Sequence, residues 1–157
     1  MKQFLVLILL LSCTAAYSQP KKQAGADPWA GNWKLDTAKS KIQGPAPKEE
    51  TVTVDAVSKD SIKYTIKGTD AEGKAYTVSY DGKVGTAAPE MVDGKETGQM
   101  TYQMPSSHEL TAESRGADGS SGTAKITLSR DSKTVTVQEH RKDAKGERDQ
   151  TMVYVRQ

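Results

Sequence analysis

Cysteine is almost missing from this chain: Cys13 is the only one in 157 residues. No intrachain disulfide can therefore form, whatever the compartment, and stability has to come from pairing and packing. Phenylalanine occurs once, and histidine twice, as His108 and His140. Two histidines without cysteine ligands make a poor zinc set, and a haem would need His108 in a wide dry pocket. No Gly-x-Ser-x-Gly elbow is present, and no nucleophile sits beside a base and its orienting group. Asp70-Ala71-Glu72-Gly73 and Asp118-Gly119-Ser120 lack the ligand spacing of a calcium loop and read as turns. Neither catalysis nor a metal or cofactor is expected.

A strong charge of either sign is also lacking. The net charge is +2, and removing Lys2 from the 22 basic residues leaves 21 against 20 acidic ones. Without a clustered basic patch, nucleic acid is not an expected partner. Past residue 11 no run is apolar enough to cross a bilayer.

What the chain does have begins with a leader. Met1-Lys2 is a short positive start, Phe4 to Leu11 is an unbroken apolar run, and Ala16-Tyr17-Ser18 offers small residues at −3 and −1 of a cleavage. Residues 1–18 thus read as a signal peptide, predicting an exported protein that is periplasmic or secreted. Leu10-Leu11-Ser12-Cys13 resembles a lipobox, so lipid anchoring at Cys13 is the alternative. Residues 19–28 have no periodicity and read as a flexible tether. Residues 29–157 form the expected domain, large enough for a real core.

In that domain the apolar pattern has period two. Trp29-Ala30-Gly31-Asn32-Trp33-Lys34-Leu35 opens it, with residues 29, 31, 33 and 35 on one face. Gly31 lacks a Cβ and permits close approach, so the Trp33 indole can plug one end of a closing barrel. Asp36 to Lys41 suggests one helical turn, stopped by Gly44-Pro45-Ala46-Pro47. Val52, Val54 and Ala56 alternate with polar residues. So do the strands around Tyr64, around Tyr76 and Tyr80, and around Met100, Tyr102 and Met104. Asp81-Gly82 signals a hairpin, residues 83–97 show no clear period, and Pro105 is expected to stop a ladder. Four strands follow, with turns at 118–122, 130–133 and 143–146. About nine short strands with almost no helix mean a sandwich or a barrel. Short consecutive turns favour an antiparallel up-and-down barrel of about 8–10 strands, which also removes exposed edges.

The candidate site follows from parity. Trp33, Tyr64, Tyr76, Tyr80, Tyr102 and Met104 are expected inside, with His108 as a polar contact beside Leu110 and Ala112. Phenols and thioethers combine apolar area with a polar tip or an adaptable shape, as ligand pockets require. They also fill ordinary cores. Glu139 and Arg141 continue the Val135-Val137 row inward toward an opening, while His140 falls on the outer threonine face.

One resemblance is carried by Asp27-Pro28-Trp29-Ala30-Gly31-Asn32-Trp33-Lys34-Leu35, Ala38-Lys39-Ser40-Lys41 and Gly44-Pro45-Ala46-Pro47-Lys48. It continues in Tyr80-Asp81-Gly82-Lys83, Ser132 to Val137 and Val153-Tyr154. These resemble a family of small exported bacterial proteins of unknown function with lipocalin-like character. The resemblance implies a lipocalin-like barrel and, by analogy, binding of a small hydrophobic molecule; residues 83–105 depart from the pattern. The resulting expectation is a monomeric, non-catalytic barrel holding an apolar or amphipathic molecule. The alternative is a filled barrel that binds or inhibits a periplasmic protein through its outer surface, with Met152 and Tyr154 exposed there.

Overall fold

The computed structural model describes residues 27–157, so the leader, Cys13 and most of the tether lie outside the described residues. Ten antiparallel strands follow one another: β1 (Gly31–Leu35), β2 (Glu49–Val57), β3 (Ser61–Thr69), β4 (Ala75–Lys83), β5 (Ala88–Val92), β6 (Lys95–Ser106), β7 (Glu109–Gly116), β8 (Ser121–Leu128), β9 (Thr134–Asp143) and β10 (Gly146–Arg156). Each strand pairs with its neighbour in the chain, and β10 returns to pair with β1, closing the barrel. The expected all-β up-and-down barrel is what forms, with no helix among the described residues.

Alternation becomes a wall because β-branched and aromatic side chains suit a pleated, half-buried surface. Val52 and Val54 of β2 face Ile66 and Tyr64 of β3 across the ladder. Ile126 of β8 faces Val137 of β9, which in turn faces Met152 of β10. Threonine, lysine and glutamate take the outer face in the same strands.

Several details differ from the sequence expectation. The segment after β1 is not helical: Lys39 N–H donates to the Asp36 carbonyl at 3.2 Å, and Lys41 forms a bridge with Thr151. Ser40 Oγ donates to the Asp36 carbonyl, and Ser40 accepts from Val153 N–H, so the chain is pinned along β10 instead of coiling. A bulge between Val54 and Ala56 shifts the parity of β2, so Val57 is buried in place of Ala56. An extra residue in one strand reverses every later side chain, and nothing in the local composition signals it.

Asp81-Gly82 does not turn the chain. Gly82 lies within β4 because a Cβ there would run into the Tyr80 hydroxyl and the Ala88 methyl. The missed fifth strand is β5, closed onto β6 by Asp93-Gly94, whose φ values of 50° and 76° suit a tight hairpin turn. Pro105 sits within β6, where the ladder already slips between Gln103 and Ser106, so its missing N–H costs no pairing there.

One end of the barrel is tightly closed. Trp29 and Trp33 are 3 % and 2 % exposed and are joined there by Leu35, Ile62, Leu110, Leu128 and Val135. The Trp33 Nε1–H donates to the Trp29 carbonyl at 2.9 Å, and the Trp29 Nε1–H donates to the Ser107 carbonyl at 2.9 Å. Asp27, assigned by sequence to the tether, accepts from Trp29 N–H at 2.9 Å and from Val57 N–H at 2.6 Å.

Arg156 locks this end. Its guanidinium lies 4.1 Å from the Trp33 ring centroid. It donates to the carbonyls of Ser132 and Ala30, both at 2.7 Å, and to that of Pro28. Gly31 is needed beside it, since a Cβ there would meet the guanidinium. Truncating Arg156 strips three carbonyls of a charged donor and the indole of its cover. Arg156→Ala is therefore expected to cost about 3 kcal/mol in urea unfolding, against a change within about 0.5 kcal/mol for the exposed Lys133→Ala. Equal effects would contradict the lock.

Candidate functional site

The inward residues of the strands line a cavity of about 230 Å³ that is partly open to solvent. Trp29, Trp33 and Ile62 lie at its closed end, and Val52, Tyr64, Met100, Tyr102, Ile126, Val137, Met152 and Tyr154 form its walls. Ala112 and Ala124, facing each other across β7 and β8, leave room where larger residues would meet. Two carboxylates interrupt this apolar lining, Glu90 from β5 and Glu139 from β9.

The tyrosines form one unit. Tyr64 stacks on Tyr80 with centroids 5.7 Å apart, and Tyr102 meets Tyr80 edge-on at 5.0 Å and Tyr64 at 6.2 Å. The Tyr64 and Tyr102 hydroxyls are 2.9 Å apart, and both reach the Met100 sulfur, at 3.7 and 3.8 Å. Desolvation pushes both phenols far above their ordinary range, so each stays a neutral donor at any physiological pH. Such edge-to-face and offset pairs add to area burial and hold the wall in one shape.

Toward the other end the lining turns polar. Glu50 accepts from the Tyr154 hydroxyl at 2.5 Å and from the Tyr76 hydroxyl. Gln150 Nε2 donates to Glu139 at 2.5 Å, and Arg148 pairs with Asp143 at 2.8 Å. Among the described residues no ion pair joins Glu139 to Arg141, contrary to the pair suggested by sequence. The Glu90 carboxylate accepts no hydrogen bond among the described residues. Its pKa is raised, first by desolvation; Arg141 opposes the rise and Glu139 adds to it.

The structure thus brings together some of the sequence candidates and disperses others. Trp33, Tyr64 and Tyr102 line the cavity. Tyr80 supports Tyr64 from behind, with its ring over Gly82, and Tyr76 covers Gly68 near the polar end. Met104 packs against the core cluster without lining the cavity. His108 does not point inward beside Leu110. It lies in the β6–β7 turn, its Nδ1 3.0 Å from Ser107 Oγ, because β6 runs on to Ser106 and the reversal takes residues 107 and 108. His140 is on the outer face, as expected, 2.8 Å from Asp149. His108 is therefore not among the residues that line the cavity with Glu139. Met152 and Tyr154 do not form an outer patch: both border the cavity, and Tyr154 is buried.

Sequence reasoning passed over Glu90, Glu50 and Trp29. Glu50 was legible, since it continues the parity of Val52 and Val54. Glu90 lay in the stretch without visible period. Among the described residues no group of three or more metal-ligating side chains occurs, and no helix is long and apolar enough to cross a membrane.

No family model matches the chain, and no curated relative matches it. Solved structures do match in fold. A fatty acid binding protein of Schistosoma mansoni in complex with arachidonic acid is 16 % identical, over 83 % of this chain and 96 % of that one, with a TM-score of 0.57. A point mutant of the fluorescent protein UnaG gives the same four values. A redesigned β-barrel is 9 % identical over 83 % of this chain and 92 % of its own, with a TM-score of 0.52. The fold is therefore a closed antiparallel barrel of ten strands, similar to those of these solved structures.

Glu90 supplies a test of this interior. Its carboxyl holds a proton more tightly folded than unfolded, so its favourable contribution is complete below the ordinary value of 4.5 and is lost as pH rises through the raised folded value. Glu90→Gln should match the wild-type melting temperature below pH 4 and exceed it at pH 7. A difference that does not change with pH would contradict a desolvated Glu90.

Proposed function

We propose that this protein is an exported, non-catalytic barrel that carries a small amphipathic molecule in its interior. The observation that supports this reading is the cavity of about 230 Å³ inside a closed wall, with tyrosine and methionine on one side and aliphatic groups on the other. Close-packed interiors leave few voids larger than a water. This one has the volume of about seven waters in the liquid. It is smaller than the ~300 Å³ at which drug-sized pockets begin, so the occupant has on the order of ten non-hydrogen atoms. The Schistosoma protein, in complex with arachidonic acid, is a barrel of similar fold that holds a small molecule. That likeness supports the fold, and the cavity supports the function.

Export rests on the leader at residues 1–18. Lipid attachment at Cys13 would tether the same barrel to a membrane through residues 19–28. A purely outer-surface function loses its main support, because Met152 and Tyr154 face inward.

Native mass spectrometry of the protein purified from its own envelope fraction should detect a bound molecule of low mass. Ala124→Phe, which fills the space across from Ala112, should abolish that adduct while leaving the far-ultraviolet circular dichroism unchanged. A bare protein in both samples, with no uptake of added n-propylbenzene by the wild type, would overturn the proposal.

A further inference from the structure

We infer that the occupant of the cavity is a cation: a small primary ammonium whose apolar body lies against the Tyr64–Tyr102 wall and whose charged head meets the Glu90 carboxylate. This deepens the carrier reading above and rests on it.

The cavity decides size and apolarity; the polar atoms in its wall decide charge. Only two charged side chains line it, and both are carboxylates. They are not equivalent. Glu139 is already engaged by the Gln150 amide at 2.5 Å. The Glu90 carboxylate has no hydrogen-bond or salt-bridge partner among the described residues, although its backbone is held in the ladder opposite Tyr80 and Gly98 and its carbonyl accepts from Thr97 Oγ1. Glu90 is half-buried in an apolar wall, which disfavours its ionised form, and a ligand that brings the missing donor offsets that penalty.

The groups facing Glu90 from the packed elements favour the same sign. Tyr64 on β3 and Tyr102 on β6 remain neutral phenols, and their π-faces attract cations. Glu139 adds negative potential from β9. Arg141, also on β9, is the one cation acting on Glu90, and it stands outside the cavity lining within the influence of Asp118. Arg148 is taken up by Asp143. The guanidinium of Arg156 is spent on three carbonyls and the Trp33 ring at the closed end. Among the described residues no lysine or arginine lines the space, so an anionic head would meet two carboxylates there, with Arg141 the one cation acting from beyond the lining. An ammonium of matching size reverses that balance, gains a charge-assisted hydrogen bond and stabilises the ionised form of Glu90. Protons are then released on binding wherever Glu90 was protonated before.

Three probes that share a phenyl ring and a short alkyl chain separate the possibilities: 2-phenylethylammonium, neutral n-propylbenzene and anionic 3-phenylpropionate. Titration calorimetry with the full mature chain at pH 6 and 7, in two buffers of different ionisation enthalpy, reads both affinity and proton release. The ammonium should bind at least tenfold more tightly than the anion, with proton release that is larger at pH 6. In Glu90→Gln the preference should fall to within about threefold and the proton release should vanish, while n-propylbenzene binds as in the wild type and shows the pocket intact. Equal binding of all three probes, or preference for 3-phenylpropionate, would overturn the cation inference and leave the carrier reading standing. Failure of all three to bind the wild type would overturn both.

Discussion

The contact on which the barrel depends is the one between its two ends in sequence, where β10 pairs with β1 and Arg156 covers Trp33. Closure joins residues more than a hundred positions apart, and only three residue pairs of ladder accomplish it. Loop entropy opposes such a seam, so the short ladder needs reinforcement. The Arg156 guanidinium supplies it by tying the Pro28–Ala30 entry turn and the β8–β9 turn together across the indole. The Trp29 and Asp27 bonds extend the same seam to the β6–β7 turn and to the end of β2. With that end fixed, every other strand has a neighbour on both sides, and no edge is left open to pairing with another chain.

A barrel closed in this way has two different ends for a simple reason. The lock fills one end with two indoles and branched aliphatic groups, which exclude water. The other end receives the hairpin where β9 ends and β10 begins, with Arg141, Asp143, Arg148 and Gln150 continuing the inward rows. Between them lies a region where Ala112 and Ala124 stand opposite bulky neighbours and do not fill the space. The resulting hollow is apolar on most sides, framed by three tyrosines whose hydroxyls are satisfied by one another, by Met100 or by its carbonyl. Glu90 is the exception in that wall, a carboxylate left unmatched where every neighbour is paired.

Much of this was legible in the sequence, because period-two alternation carries over directly to inside and outside wherever the ladder is regular. The rows Val135-Val137-Glu139, Leu110-Ala112 and Tyr64-Ile66 required nothing more. What could not be read were the places where the ladder slips. The bulge beyond Val54 exchanges Ala56 for Val57, and the longer β6 carries Pro105 and moves His108 into a turn. Gly82 looked like a turn residue and is instead a site where a tyrosine ring needs room, a tertiary demand with no local signature. Glu90 was hidden for a related reason: β5 is five residues long and bulged against β6, too short for a period to show. Hollowness itself depends on how side chains from nine strands meet, which no single segment encodes.

The claim at the centre of this account is that the closed barrel is hollow between its locked end and its polar end. Xenon tests it directly, since apolar cavity walls take up the gas. A crystal of the mature chain pressurised with xenon should show a well-occupied site bounded by Tyr102, Ile126 and Val137, with Trp33 still covered by Arg156. An interior filled by protein side chains, with no xenon site among these residues, would contradict it.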